Sequence, residues 1–156
     1  MEGRPTSPRR RPHPELEATS FASTPSTRHR MQVQRSRDTN PELLLRRHLH
    51  ARGWRFRVDR PPLAGVRRRA DIVFGGQKVA IFVDGCFWHA CPQHGTWPKT
   101  NADWWRHKLE RNQQRDQETD QLLKAAGWSV IRIWEHEGVS DAAQRVEEAL
   151  ADRRSR

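Results

Sequence analysis

The 156-residue sequence predicts a small α/β domain with the element order helix, three strands, helix, strand, helix. Two apolar, β-rich segments lie on either side of Gly75-Gly76, which is a strong signal for a hairpin. A long polar segment with helical character then ends at Gly127 and is followed by an apolar strand at residues 128–134. These observations together favour a single α/β domain over an all-helical or all-β one.

The first helix is predicted to begin at Thr39 or Asn40, because either side chain can cap it and Pro41 suits its first turn. Leucines at helical spacing continue until Gly53. The three strands that follow are predicted at residues 54–58, 70–74 and 78–84. In the first of them Trp54, Phe56 and Val58 alternate with arginines, which predicts a half-buried strand with these three side chains inward.

The second helix is predicted from Thr100 or Asn101 to about Ala126. The final helix is predicted from Val139 to Leu150, with its apolar side chains on one side. The core domain is therefore expected to span residues 31–151, followed by a short basic tail at residues 152–156.

Residues 1–30 are rich in Pro, Ser, Thr and Arg and show no apolar periodicity, which predicts a basic, disordered arm. An alternative interpretation is that translation starts at Met31. No apolar stretch is long enough to cross a bilayer, and the arm lacks the apolar core of a secretory signal. We therefore expect a cytoplasmic protein associated with nucleoid DNA and no membrane partner.

The charge balance points to a polyanionic partner. Lys and Arg total 29 and Asp and Glu total 19, which gives a net charge of +10. Nucleic acid is the first candidate for such a basic chain. The run Arg67-Arg68-Arg69 is a candidate phosphate-binding segment, although it could also be a solvated loop.

Asp71 and Asp84 lie at ends of neighbouring predicted strands, and antiparallel pairing across Gly75-Gly76 can bring these ends together. Two carboxylates at one corner of a sheet can hold Mg²⁺, which lowers the pKa of a bound water and stabilises charge on phosphate. The alternative interpretation is that both aspartates only end strands or form turns.

Two cysteines and two histidines form a second candidate site, which consists of Cys86, Cys91, His94 and His136. Two thiolates and two imidazoles suit structural Zn²⁺. The alternative is a pair of reduced core cysteines with two surface histidines, and His89 and His107 are rival ligands.

An unusual aromatic pair, Phe87 and Trp88, precedes His89 between the two cysteines. If the rings are exposed they can wedge between base pairs, with His89 as general base on an attacking water. The alternative is that both rings belong to the core. Trp104 and Trp105 open the second helix on adjacent faces, so at most one can point inward and the other is available to a ligand.

The rest of the second helix is predicted to present a solvated, charged face that includes Lys108, Arg111, Arg115 and Asp116.

Four segments, residues 35–43, 70–74, 82–89 and 134–137, closely resemble the very short patch repair (Vsr) DNA mismatch endonucleases. The resemblance covers roughly residues 31–150. It implies a fold related to restriction endonucleases of the PD-(D/E)XK type, a central mixed sheet flanked by helices. It also implies Mg²⁺-dependent nicking of one strand 5′ of the T in a T:G mismatch, the lesion left when 5-methylcytosine deaminates.

The resemblance also implies roles for individual residues. Asp71 looks like the Mg²⁺-binding aspartate, Val83 would supply a backbone carbonyl to the metal, and Glu42 would help to hold metal-bound water. His89 looks like the general base. The aromatic wedge would consist of Phe87, Trp88 and Trp105, and the zinc ligands would be Cys86, Cys91, His94 and His136.

This chain departs from the family pattern at Val83-Asp84, where well-characterised members have a Thr-His pair. Only a carbonyl is needed from Val83, whereas Asp84 adds a charge and could be a second Mg²⁺ ligand. The zinc ligands also differ, because Cys and His exchange places among members.

Two other functions compete with mismatch nicking. A restriction-like enzyme that cuts both strands would have to dimerise, since a monomer of this size presents one active site. A zinc-stabilised DNA-binding module without activity is disfavoured by the presence of both Asp71 and His89. The expected partner is double-stranded DNA with a T:G mismatch, bound by a monomer with a functional link to a cytosine-5 DNA methyltransferase.

Overall fold

The computed structural model describes residues 37–155, so the predicted arm at residues 1–30 lies outside the described residues. The described chain forms seven elements in the predicted order. They are α1 (Asn40–Ala51), β1 (Arg57–Arg60), β2 (Ala70–Phe74), β3 (Val79–Asp84), α2 (Ala102–Ala125), β4 (Ser129–Trp134) and α3 (Val139–Arg154).

The four strands form one open mixed sheet in the order β1-β2-β3-β4. The pairs β1–β2 and β2–β3 are antiparallel, and β3–β4 is parallel. A parallel pair cannot be joined by a tight turn, and α2 lies in the connection between its strands. The predicted hairpin across Gly75-Gly76 and the mixed sheet flanked by helices are confirmed.

Helices cover both faces of the sheet. On one face, α1 and α3 pack through leucines and alanines onto alternate residues of the strands, such as Ile72, Ile81 and Ile131. On the other face, the carboxyl-terminal half of α2 packs through Leu123 onto Val73 and neighbouring strand residues. The residue order in β2 therefore places Asp71, two positions before Val73, on the α2 side of the sheet.

The first strand begins later than predicted. Trp54 and Phe56 do pack against the core, with T-shaped contacts to Phe74 at 6.0 and 5.5 Å. Backbone pairing with β2 starts only at Arg57, and the side chain of Val58, predicted to be inward, is 42% exposed. Aromatic packing and strand pairing thus occupy successive stretches of chain.

The last helix continues further than predicted. It begins at Val139 as expected but ends at Arg154, so most of the predicted tail is helical. Within residues 37–155, no helix combines the length and the apolar character needed to cross a membrane.

The packing of α3 on the sheet predicts a large cost for truncating its buried leucine. Leu150 is 0% exposed, so Leu150→Ala should lower the free energy of unfolding by about 2–5 kcal/mol through lost contacts and an unfilled cavity. Leu122→Ala is the matched control, because Leu122 is 58% exposed in a helix and should cost less than about 0.5 kcal/mol. Urea denaturation measures both, and equal costs would contradict the packing of α3.

Candidate active site

A cleft of about 770 Å³ opens at the end of the sheet where β2 begins and β3 ends. Its volume lies in the range of about 300–1,000 Å³ that is usual for ligand sites. The structure brings seven of the predicted site residues to its wall, namely Arg67, Arg68, Arg69, Asp71, Val83, Asp84 and His89. Glu42 does not line this cleft.

The hairpin fixes Asp71 at the cleft. Pairing of Ile72 with Ile81 places Asp71 beside the last residues of β3, and the Val83 backbone N–H donates to Asp71 Oδ2 at 2.6 Å. Burial, together with the negative charges of Glu42 and Asp84, raises the pKa of Asp71 to about 7, although the Val83 hydrogen bond lowers it. An ionised Asp71 would therefore be a buried charge that the neighbouring protein groups compensate incompletely.

Asp84 is buried and paired with Arg132. Arg132 Nη1 donates to both carboxylate oxygens of Asp84 at 2.9 Å, and only 5% of Asp84 is exposed. Burial raises the pKa of Asp84, against the lowering effects of His89 and Arg132. A divalent cation would offset the cost of burying these carboxylates in their ionised form, so the oxygen atoms at this corner of the sheet fit a divalent metal ion.

His89 lies between two carboxylates. Its Nδ1 is 2.5 Å from Asp116 Oδ2 and 3.7 Å from Asp84 Oδ1. Burial alone would raise the pKa of Asp116, but the hydrogen bond and charge of His89, with the charge of Arg132, hold it below its ordinary value. Ligand atoms of Asp84, His89 and Asp116 all lie within 4.8 Å of one another, so this group could also hold a metal ion.

Glu42 is held at the amino-terminal end of α1. Its carboxylate accepts hydrogen bonds from the Asp38 backbone N–H and the Thr39 hydroxyl, both at 2.9 Å, and from Arg46 at 3.1 Å. The side chain is buried, and its charge helps to raise the pKa of Asp71. The structure thus places Glu42 close enough to Asp71 for electrostatic coupling.

The three consecutive arginines differ in their contacts. Arg68 donates to Asp116 at 2.5 Å, and Arg69 donates to Asp59 at 2.7 Å. Arg67 is exposed at the cleft wall. All three line the cleft, which gives the acidic corner a basic rim.

The aromatic residues form a continuous cluster beside His89. Phe87 contacts Trp88 and Trp105 with ring centroids 5.1 and 5.3 Å apart, and Trp105 contacts Trp104 at 4.9 Å. Trp105 is 7% exposed and Trp104 is 53% exposed, so one of the adjacent tryptophans points inward and one outward, as predicted. Lys108 Nζ lies 4.9 Å from the Trp104 ring, which adds positive charge to the exposed edge.

The predicted cysteines and histidines do come together. Ligand atoms of Cys86, Cys91, His94 and His136 all lie within 4.8 Å of one another. Burial raises the pKa of the Cys86 thiol to about 11, and Cys91 adds to this rise, so a bound cation is needed to ionise the Cys86 thiol near neutral pH. A Cβ at Gly95 would lie 2.5 Å from the Cys91 carbonyl oxygen, which explains a glycine at this turn.

Comparison with known proteins identifies the family. A family model described as DNA mismatch endonuclease Vsr matches residues 22–94. The chain is 48% identical over 122 residues to type II nicking enzyme V.NaeI of Lentzea aerocolonigenes. This alignment covers 77% of the chain and 74% of that relative. It is 32% identical over 127 residues to the DNA mismatch endonuclease Vsr of Escherichia coli, spanning 79% and 77%. This chain belongs to the Vsr family.

A third relative agrees with this assignment. Type II nicking enzyme V.XorIIP of Xanthomonas oryzae pv. oryzae is 41% identical over 121 residues, which cover 76% of this chain and 86% of the relative. Like its relatives, this Vsr-family protein is a DNA endonuclease.

Two residues of this Vsr-family site were missed by sequence reasoning. Asp116 was assigned to a solvated face of α2, but it is 8% exposed and contacts His89. Its spacing of seven residues from both Leu109 and Leu123 is the signal that could have found it, because these leucines are buried on the same helix. Arg132 is the second residue that was missed. A charged residue inside an apolar strand is the signal that could have found it.

The Cys/His cluster predicts metal-dependent stability. Cys91→Ser should remove a ligand, reduce the bound zinc from about one ion per chain to almost none, and lower the melting temperature by about 10 °C or more. His107→Ala is the control, because the His107 side chain is 81% exposed and lies outside the cluster. Elemental analysis and thermal unfolding provide the two measurements, and a zinc-replete, fully stable Cys91→Ser protein would exclude the cluster as a structural metal site.

The raised pKa of Asp71 predicts a pH dependence of stability in Mg²⁺-free buffer. Because the folded-state pKa of about 7 exceeds the unfolded value of about 3.9, this carboxyl stabilises the fold most below pH ~4, and the contribution is lost as the pH rises through ~7. Asp71→Asn should therefore gain stability relative to the wild type over this range.

Urea denaturation at several pH values, with the metal content of the protein held constant, measures this difference. The exposed Asp152→Asn is the control and should follow the wild type at every pH. Parallel pH profiles for Asp71→Asn and the wild type would show that Asp71 is not protonated in the Mg²⁺-free fold.

Proposed function

We propose that this protein nicks one DNA strand 5′ of the T in T:G mismatches that arise from deamination of 5-methylcytosine, and that this Mg²⁺-dependent hydrolysis initiates very short patch repair. One observation carries the proposal. The loop after β3 places the aromatic pair Phe87 and Trp88 next to His89, which contacts Asp116 at a cleft lined by carboxylates and arginines. Family membership supports the same reaction class.

In this proposal Asp71 and the Val83 carbonyl hold Mg²⁺, and Glu42 helps to hold water bound to it. When bound, Mg²⁺ lowers the pKa of a water ligand and stabilises the charge that develops on the phosphate. Support comes from the burial of Asp71, which raises its pKa, so that a cation beside the carboxylate would stabilise its ionised form. A second-ligand role for Asp84 has less support, because Arg132 donates to both of its oxygens.

His89 is proposed as the general base. Because Nδ1 is bound to Asp116, Nε2 is the ring nitrogen available to take a proton from the attacking water. Asp116 fixes the orientation of the ring and stabilises the imidazolium that forms. The contact between Arg68 and Asp116 links this pair to the basic rim.

Phe87, Trp88 and Trp105 are proposed to open the base stack beside the mismatch. A mismatched step costs less to unstack than a paired one, so ring insertion favours damaged sites without direct reading of every base. Trp105 is largely buried against the other two rings and would support them, whereas exposed Trp104 extends the cluster towards solvent.

The remaining features fit the same proposal. Arg67, Arg68 and Arg69 would contact phosphates and make the affinity dependent on salt. The Cys86, Cys91, His94 and His136 cluster would hold structural Zn²⁺, and since two of its ligands flank residues 87–90, it would fix the loop that carries the rings and the base. The mixed sheet would be a variant of the PD-(D/E)XK fold. The enzyme would act as a monomer on nucleoid DNA. A cytosine-5 methyltransferase would have methylated that DNA.

A second candidate function is sequence-specific nicking or cutting of fully paired DNA. The observation that favours it is that the relatives from Lentzea aerocolonigenes and Xanthomonas oryzae are named type II nicking enzymes. Cutting of both strands would require two copies of the single cleft described above.

The proposed reaction predicts a substrate preference that can be measured directly. An end-labelled duplex with a central T:G mismatch should give one nick 5′ of the mismatched T with Mg²⁺, and the T:A duplex of the same sequence should give none. Chelation of the metal should abolish the nick. Equal cleavage of both duplexes would favour the second candidate function.

Asp71→Ala is the matched variant for this assay. It should lower the nicking rate at least about 100-fold, because the proposed metal ligand is lost, while T:G duplex binding remains close to that of the wild type. Rapid nicking by Asp71→Ala would overturn the metal assignment. Binding without nicking by the wild-type protein would instead favour an inactive DNA-binding module.

A further inference from the structure

Arg132 projects from the middle of β4 onto the α2 side of the sheet. It pairs in register with Phe82 of β3, and its guanidinium carbon lies 4.8 Å from the centre of the Phe82 ring. The side chain is 22% exposed. A charge in this position requires partners, because desolvation of an unpaired guanidinium is costly.

Those partners are supplied by one strand and one helix. Nη1 donates to both oxygens of Asp84 at 2.9 Å, and Nε donates to both oxygens of Asp120 at 3.1 Å. Nη2 donates to Asp120 Oδ1 at 2.9 Å and to the Asp116 backbone carbonyl at 3.3 Å. Arg132 thus joins the end of β3 to the middle of α2, from which the Asp116 side chain reaches His89.

The geometry leaves Arg132 without a free nitrogen for phosphate. Each of its three guanidinium nitrogens already donates to an acceptor within the described part of the chain, although the residue lines the cleft. This distinguishes Arg132 from Arg67 on the same cleft wall, which is exposed to solvent. Arg132 therefore acts on its protein neighbours and not on DNA.

We propose that Arg132 is a positioning residue of the catalytic site, which holds Asp84 and the α2 segment around Asp116 so that the Asp116 carboxylate orients His89. In the same arrangement Asp84 acts through Arg132 and is not a ligand of the catalytic cation. This inference rests on the proposed function, because it says which residues position His89, the general base of the proposed reaction.

Two features of the site support this role. The Asp116 carboxylate contacts His89 on one side and Arg68 on the other, so its position depends on how α2 is held against the sheet. Asp84 Oδ1 is 3.7 Å from His89 Nδ1, too far for a hydrogen bond, whereas both its oxygens are close to Arg132. The shared arginine thus connects the two carboxylates that face the base.

The first test separates catalysis from binding. Arg132→Met should lower kcat for nicking of the T:G duplex about 10- to 100-fold, while KM and duplex affinity change less than about twofold. Arg132→Lys should recover only part of kcat, because an ammonium group keeps the charge but cannot reproduce the planar fork. Arg52→Met is the matched control, since Arg52 forms an ion pair with Glu147 away from the cleft and should leave kcat unchanged.

The second test does not depend on nicking. A histidine Nδ1 proton bound to a carboxylate gives a downfield proton resonance, which should be present in the wild type and in Arg52→Met. It should be lost or shifted in Arg132→Met. If Arg132→Met does not fold, Arg132→Lys and Asp120→Asn, which removes the charge of one partner, should both shift the same resonance.

The third test uses Mn²⁺ as a probe for the catalytic cation, measured by electron paramagnetic resonance. Asp71→Asn should weaken Mn²⁺ binding at least about tenfold, whereas Asp84→Asn and Arg132→Met should not weaken it more than about twofold. Loss of Mn²⁺ binding in Asp84→Asn, with binding kept in Arg132→Met, would overturn the proposal and make Asp84 a metal ligand. Unchanged kcat and an unchanged histidine resonance in a folded Arg132 variant would also overturn it.

The same tests distinguish failure of this inference from failure of the proposed function. If the wild-type enzyme does not nick the T:G duplex, the proposed function fails, and the resonance and Mn²⁺ measurements still decide the role of Arg132. If the wild type nicks and the Arg132 variants are indistinguishable from Arg52→Met, only the inference about Arg132 fails.

Discussion

Burial of negative charge at one end of the β2–β3 hairpin is the interaction on which the rest of the site depends. Antiparallel pairing brings Asp71, near the start of β2, beside the end of β3, where Asp84 is buried. Burial raises the pKa of both carboxylates, and the charge of Asp84 adds to the rise at Asp71, so positive charge nearby is needed to stabilise their ionised forms. Arg132 provides part of it from within the protein, and a divalent cation is the natural source of the remainder. The ionisation of each carboxylate at the cleft thus depends on the arginines and carboxylates around it.

The loop after β3 joins three roles in a short stretch of chain. Cys86 and Cys91 belong to the cluster of potential metal ligands, Phe87 and Trp88 belong to the aromatic cluster, and His89 faces the carboxylates of Asp84 and Asp116. Asn112 of α2 also donates to the Trp88 carbonyl at 3.1 Å, which ties the loop to the helix that carries Asp116. Any movement of this loop therefore moves the rings of Phe87 and Trp88 together with His89. The aromatic cluster and the His89 ring are positioned by the same loop.

Local patterns predicted much of this structure, and long-range pairing decided the rest. The hairpin, the long helix and the gathering of Cys86 with His136 followed from turn residues, helical character and ligand chemistry. Thr39 and Asn101 occupy the predicted capping positions, but neither side chain makes a capping hydrogen bond. The ion pairs of Arg132 did not, because sequence spacing does not say which helix residue faces a given strand residue across the sheet. Asp116 was assigned to solvent because it lies among charged residues, although its helical phase matched that of buried leucines. The start of β1 was misplaced because alternation reports burial of side chains and not backbone pairing.

The tight turn of the hairpin lies at the opposite end of β2 and β3 from Asp71 and Asp84. A Cβ built on Gly75 or Gly76 would meet no atom within 4 Å. Because β2 and β3 separate this turn from the cleft, groups added there would lie away from the cleft. The turn is thus a natural attachment point for a fluorophore or an affinity handle, through which single molecules of the enzyme could be watched or immobilised while the cleft stays open.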